Sequence, residues 1–194
     1  MKIGLTGGIA VGKSTVYTKL ISNKSIIGFD ADQQVKELYQ DTQVIEALIE
    51  RFGECIRLDD GNVSRSVLRS LFLSNPDAKR GLEEVFHHRV RARYDSFVGG
   101  KKNDQIAVAD IPLLYETGNN YGFDKVIVVA CRAETQLLRL KERSSLDTET
   151  AKDMISQQLP IADKIKQADF VLWNEGSPTQ LNQQIDTLTH HLFK

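Results

Sequence analysis

Gly7-Gly8-Ile9-Ala10-Val11-Gly12-Lys13-Ser14 satisfies the pattern GxxxxGK[ST], and its neighbours decide the fold. Ile3-Gly4-Leu5 before it reads as a short buried strand, and Ser14 and Thr15 after it open a helix. A glycine-rich turn that merely joins a strand to a helix is the bland alternative, and the flanking elements argue against it. Backbone N–H groups of such a loop and of the helix N-terminus converge on one place, presenting partial positive charge without desolvating a side chain. The matching ligand is a polyphosphate. Lys13 supplies a full charge to the outer phosphates, and Ser14 a hydroxyl to the magnesium ion that accompanies ATP. Should the loop need positive φ at Ala10, alanine there costs about 1–2 kcal/mol.

Outward from this loop, strand-length apolar runs alternate with longer segments of helical period, the pattern of an α/β fold with helices on both faces of a sheet. Strands are expected at Lys2–Leu5, Ile26–Phe29, Gln105–Ala109, Lys125–Val129 and Phe170–Trp173, five in one sheet. Helices are expected after Lys13 and at Asp32–Tyr39, Gln43–Phe52, Ser64–Leu73, Asp77–Val98, Glu134–Arg143, Thr148–Gln158 and Pro178–Leu192. The helical block 32–98 far exceeds the dozen or so residues a βαβ crossover needs, so it reads as an insert. Residues 134–166, rich in Arg, Lys and Gln, form a second surplus.

A length of 194 residues suits one domain carrying a small insert, and 41% apolar residues fill its core without staples. Twenty-five Lys and Arg against 26 Asp and Glu leave a charge of −1, which excludes general binding to nucleic acid or acidic membranes. Cys55 and Cys131 stand far apart with no metal-ligand spacing, which argues against zinc and for a reducing compartment. The longest apolar stretches, Ile106–Leu114 and Val126–Cys131, are too short to span a bilayer, and Lys2 leads into no signal peptide. A cytoplasmic protein is expected.

Three groups of side chains bear on chemistry. Asp30-Ala31-Asp32 ends the second strand, where a carboxylate borders the ligand crevice of an open α/β sheet. Asp32 reads either as the base that orients an acceptor hydroxyl or as a cap of the next helix. Asp110 ends the strand Ile106-Ala107-Val108-Ala109 and suits a magnesium-holding acid, with a solvated strand end as the alternative. Arg139 and Arg143, four apart, share a helix face that either closes over phosphate or is solvated beside Glu134 and Glu142. His87 and His88 among Arg89, Arg91 and Arg93 read as a polar helix face or a pyrophosphate contact, whereas Trp173 and Cys131 read as core.

Taken in order, these segments resemble the dephospho-coenzyme A kinase family through almost the whole chain. Ile3-Gly4-Leu5-Thr6-Gly7-Gly8-Ile9 with Gly12-Lys13-Ser14-Thr15 is similar to its nucleotide loop, Asp30-Ala31-Asp32 to its DAD element, and Pro112-Leu113-Leu114 with Glu116 to its PLLxE element. Gln158, Lys164, Ala168-Asp169, Asn174 and Gly176 fall in the spacing of its closing pattern.

The resemblance implies a parallel five-stranded sheet of P-loop NTPase type with a helical acceptor-binding insert, residues 32–98, and a helical lid, residues 134–166. It implies transfer of the γ-phosphoryl of ATP, with Mg²⁺, to the ribose 3′-hydroxyl of dephospho-coenzyme A by a monomer or small homo-oligomer. Carried over by position, Gly8, Ile9, Ala10, Val11, Gly12, Lys13, Ser14 and Thr15 bind ATP phosphates, with Asn174 and Gly176 near the adenine. Lys13, Asp32, Arg139 and Arg143 are catalytic; Asp32, His87, Arg91, Leu114 and Glu116 meet the acceptor; Ser14 and Asp110 hold the metal. Two positions depart from the family: His88 stands where proline is usual, and Ala10-Val11 where glycine and serine are common.

Rival readings are a kinase of the same fold for a nucleoside monophosphate or another small hydroxyl acceptor, and a nucleotide-binding protein without turnover. A GTP-dependent switch loses its support, because the only Asn-Lys pair, Asn23-Lys24, continues as Ser25-Ile26 and not as a guanine-reading NKxD.

Overall fold

Five parallel strands form one sheet in the computed structural model, in the order β2-β3-β1-β4-β5. The structure describes residues 1–194 apart from the side chains of Phe72, Leu73, Ser74, Pro76, Ala78, Lys79 and Glu83. The strands are β1 (Lys2–Gly7), β2 (Ile26–Asp30), β3 (Ile106–Asp110), β4 (Lys125–Ala130) and β5 (Phe170–Trp173). Helices α1 (Lys13–Ile21), α2 (Ala31–Leu38), α3 (Thr42–Phe52), α4 (Arg65–Ser74) and α5 (Pro76–Gly99) precede β3, apart from β2. Later in the chain come α6 (Ala133–Ser144), α7 (Thr148–Ser156), α8 (Ile161–Lys166) and α9 (Pro178–Leu192).

The chain divides into two compact units, residues 1–30 with 100–194, and residues 31–99. In the first, the period of two along each strand sends Ile3 and Leu5, Ile106 and Val108, and Ile127 and Val129 to one face. Val16 and Leu20 of α1 and Leu181, Ile185 and Leu188 of α9 pack on that face. Ser177 starts α9 with a capping box: its hydroxyl accepts from Gln180 N at 3.3 Å, and Gln180 Oε1 accepts from Ser177 N at 2.8 Å. On the opposite face Gly4 leaves room for the ring of Phe123, which a Cβ would meet at 2.7 Å.

The second unit is helical, joining α2 to α5 with a 3-10 turn at Glu54–Ile56. Its own core holds Leu38, Val44, Leu48, Ile56, Leu68 and Phe86 among others. Asp41 caps α3 by accepting from Gln43 N at 2.9 Å, and Ser64 caps α4 by accepting from Val67 N at 3.3 Å.

One sequence expectation changes, and one short helix is added. Trp173 is no core residue: β5 lies at the sheet edge, Leu172 turns inward, and Trp173 is 40% exposed. The stretch Leu159–Gln167 contains α8, a single short helix starting after Pro160 that is too brief to show a period. Among the described residues no helix is long and apolar enough to cross a membrane.

Candidate active site

β1 lies at the centre of the sheet, and the chain leaves its C-terminal end through the glycine-rich loop into α1. There the connections part, towards β2 and β3 on one side and β4 and β5 on the other, which opens a crevice at the strand ends. Positive φ occurs at Ala10 (60°) and Gly12 (91°), so the loop does take the left-handed conformation that alanine adopts at a cost. Val11 turns the other way and is fully buried in the core. A side chain at residue 11 therefore anchors the loop, which accounts for valine at that position.

Lys13, the first residue of α1, donates to Asp110 Oδ1, and both side chains are largely buried. Register brings the partner there: Asp110 lies opposite Leu5 of β1 and opposite Asp30 of β2. Burial first, and then the charges of Asp30 and Asp110, push the Tyr17 phenol up to about 12. Ser14 and Thr15 are exposed on the first turn of α1.

The loop is held from behind by side chains of distant segments. Lys164 of α8 is wholly buried and donates to the Gly7 carbonyl at 3.1 Å and the Pro112 carbonyl at 3.4 Å. Its ammonium lies 2.7 Å from Glu116 Oε1, which also accepts from Leu159 N at 3.0 Å. Ile9 N donates to Gln158 Oε1 at 2.7 Å, and Gln136 Nε2 donates to the Ile9 carbonyl at 2.7 Å. Asn174 Nδ2 donates to the Val11 carbonyl at 2.9 Å and lies against Gly12, where any Cβ would collide with it.

Beside the loop is a cavity of about 400 Å³ lined by Gly12, Thr15, Arg139, Asn174, Gly176 and Leu181. Arg139 Nη1 is buried there without a hydrogen-bond acceptor among the described residues, although the guanidinium's charge is felt by Cys131 and Glu175, whereas Arg143, one turn further along α6, is exposed. Glu175 ties the two walls together: its Oε2 accepts from Thr135 Oγ1 at 2.9 Å and its Oε1 from Arg132 N at the start of α6. Those bonds, the one from Arg132 N foremost, hold its carboxyl below the usual range. A larger groove of about 650 Å³ lies between β5 and α9, away from the loop, and its lining is mostly apolar and amide side chains with Thr187 and His191.

Sequence reasoning named the loop, Asp110, Asn174, Gly176 and Arg139, and the structure brings these together. It missed Gln136 and Glu175, whose partners lie 127 and 40 to 43 residues away along the chain with no local signal. Leu114 is buried after β3, close in sequence to Glu116. Asp32, His87 and Arg91 belong to the second unit. There Asp32 is the exposed second residue of α2 rather than its cap, and Arg91 Nε donates to both Asp95 oxygens at 3.0 Å. His87 and Arg91, four apart on α5, share a face.

A lysine-bearing phosphate loop at the end of a central parallel strand, with an acid on the neighbouring strand, makes this a P-loop kinase fold. The family model of dephospho-CoA kinase matches residues 1–180, and the chain belongs to that family. A dephospho-CoA kinase from Fusobacterium nucleatum is 36% identical over 186 residues, covering 96% of this chain and 95% of that protein. The crystal structure of TT1252 from Thermus thermophilus superposes with a TM-score of 0.81 at 27% identity, covering 99% and 97% of the two chains. Dephospho-CoA kinase from Campylobacter jejuni gives a TM-score of 0.67 at 26% identity, covering 98% and 96%.

Proposed function

We propose that this kinase transfers the γ-phosphoryl group of ATP to the ribose 3′-hydroxyl of dephospho-CoA, giving CoA and ADP in the last step of coenzyme A synthesis. Family membership over residues 1–180 carries the identity of the acceptor, and the loop at Lys13 carries the phosphate chemistry. The loop Gly8–Thr15 binds the triphosphate, its Ile9 amide being taken by Gln158, and the cavity beside Asn174 and Gly176 takes the nucleoside. Lys13 exchanges Asp110 for the outer phosphates. Arg139 reaches the nucleotide from the cavity wall, and Arg143 extends the same helix face towards solvent.

Ser14 and Asp110 offer hydroxyl and carboxylate oxygens, a donor set that suits Mg²⁺, which takes one or two protein oxygens and fills the rest of its shell with phosphate and water. A Mg²⁺ ion held by Ser14 and Asp110 would supply neutralisation of the charge that develops on the phosphates.

The helical unit 31–99 binds dephospho-CoA, with His87 and Arg91 on α5 meeting the acceptor's phosphates. Asp32 orients the 3′-hydroxyl and takes its proton as the bond to phosphorus forms. Leu114 and Glu116 shape the acceptor side of the first unit, and α6–α8 act as the lid. Two free, widely separated cysteines fit a cytoplasmic protein. The test is ADP release with Mg²⁺ and ATP over dephospho-CoA, adenosine, AMP and shikimate. Turnover with dephospho-CoA alone is expected; turnover with another acceptor and none with dephospho-CoA overturns the reading.

A further inference from the structure

One residue of the phosphate loop, Ile9, is held through both peptide units that flank its Cα. Gln136, in the first turns of α6, is only 4% exposed and gives a hydrogen to the Ile9 carbonyl at 2.7 Å. Gln158, between α7 and α8, receives the Ile9 N–H at 2.7 Å. One glutamine thus acts as donor and the other as acceptor, so the two are not interchangeable. The loop is also pressed against Gln136, because a Cβ on Gly8 would lie 2.7 Å from its Nε2.

The Ile9 carbonyl shares its peptide plane with the Ala10 N–H, so pinning the two planes on either side of Ile9 sets the direction in which the loop's next N–H points, and hydrogen bonds weaken steeply below about 120°. We propose that Gln136 and Gln158 are positioning residues for phosphoryl transfer: they fix the two successive peptides that flank Ile9, Gly8–Ile9 through its N–H and Ile9–Ala10 through its carbonyl, and bind the phosphate loop to the α6–α8 segment that carries Arg139 and Arg143. Neither side chain needs to touch substrate. This rests on reading residues 7–15 as the ATP phosphate site, which Lys13→Ala tests separately by MgATP binding in a calorimeter.

Gln136→Glu and Gln158→Glu add the same charge beside the same residue and keep the same shape, so the difference between them reports the direction of the hydrogen bond. A carboxylate at 158 still accepts from Ile9 N, whereas one at 136 faces the Ile9 carbonyl with nothing to donate. KM for ATP at pH 8 is expected to rise on the order of tenfold more in Gln136→Glu than in Gln158→Glu. The gap is expected to narrow towards pH 6 as the buried carboxyl at 136 takes up a proton and donates again. KM for dephospho-CoA stays unchanged in both.

Gly8→Ala gives an independent reading that leaves Gln136 in place. Alone it raises KM for ATP; in a Gln136→Ala background, where the colliding amide is gone, it adds less than about twofold. Circular dichroism establishes that each variant is folded. Equal tolerance of glutamate at the two positions with no dependence on pH, or additive effects of Gly8→Ala and Gln136→Ala, overturns the proposal. Wild-type MgATP affinity in Lys13→Ala overturns instead the phosphate-site reading beneath it.

Discussion

At the scale of single residues, backbone conformation and charge separate the loop's chemistry from its cost. Ala10 holds φ at 60°, where an L side chain is strained by about 1–2 kcal/mol, and glycine there removes the strain while loosening the unfolded chain. The net expectation for Ala10→Gly is a gain of about 0.5–1 kcal/mol, a rise of about 1–4 °C in Tm by calorimetry. Asp32 lies inside α2 rather than at its cap, so its removal has little helix stability to lose through capping. Asp32→Asn is therefore expected to lower kcat about 10²- to 10⁴-fold, with MgATP affinity within about threefold and Tm nearly unchanged. Near-normal turnover would remove Asp32 from the reaction. Tyr17 supplies a pH signature, because its phenol titrates near 10 in the unfolded chain and at about 12 in the fold. Between those values the unfolded state binds fewer protons, so stability is full below pH 10 and falls as pH rises from 10 to 12. Urea midpoints at pH 9, 10 and 11 should decline less steeply in Tyr17→Phe than in the parent.

At the scale of elements, what was legible in the sequence is what has a local period or a local cap. The two-residue alternation of β1, β3 and β4 and the helical runs of α3, α4 and α9 reveal themselves within a dozen residues, and so does the loop between β1 and α1. The short α8 escaped because six residues cannot display a period, and yet it carries Lys164, which binds three segments together. Pairings such as Lys164 with Gly7 span 157 residues, and nothing in either neighbourhood announces them. Glu116, read from sequence as an acceptor contact, directs Oε1 to Lys164 and Leu159 N. Lys164→Met leaves that carboxylate without its buried counterion and the Gly7 and Pro112 carbonyls without their donor, for an expected loss of about 3–5 kcal/mol in urea unfolding. The double variant Lys164→Met, Glu116→Leu removes both charges and should recover much of the loss. A double variant no more stable than Lys164→Met would show that the carbonyl contacts, not the ion pair, fasten α8 to the loop.

At the scale of the whole molecule, the division into residues 1–30 with 100–194 and residues 31–99 sets what each ligand can reach. The loop, the cavity beside Asn174 and both glutamines belong to the first unit; Asp32, His87 and Arg91 belong to the second. Each unit has a core of its own, Leu5 and Val129 with α1 and α9 in one, Leu48 and Phe86 with their neighbours in the other. Separate cores allow local opening to be measured separately, since amide exchange reports each cooperative unit by its own free energy. A ligand that binds only the native form of a unit slows exchange there in proportion to its occupancy. MgATP should therefore protect residues 8–15 and the segments around 136, 158 and 174 while leaving most of 31–99 unchanged. Dephospho-CoA alone should protect amides within 31–99, above all on α2 and α5. Protection by dephospho-CoA confined to the first unit would take acceptor binding away from the helical unit and leave Asp32 without a substrate to orient.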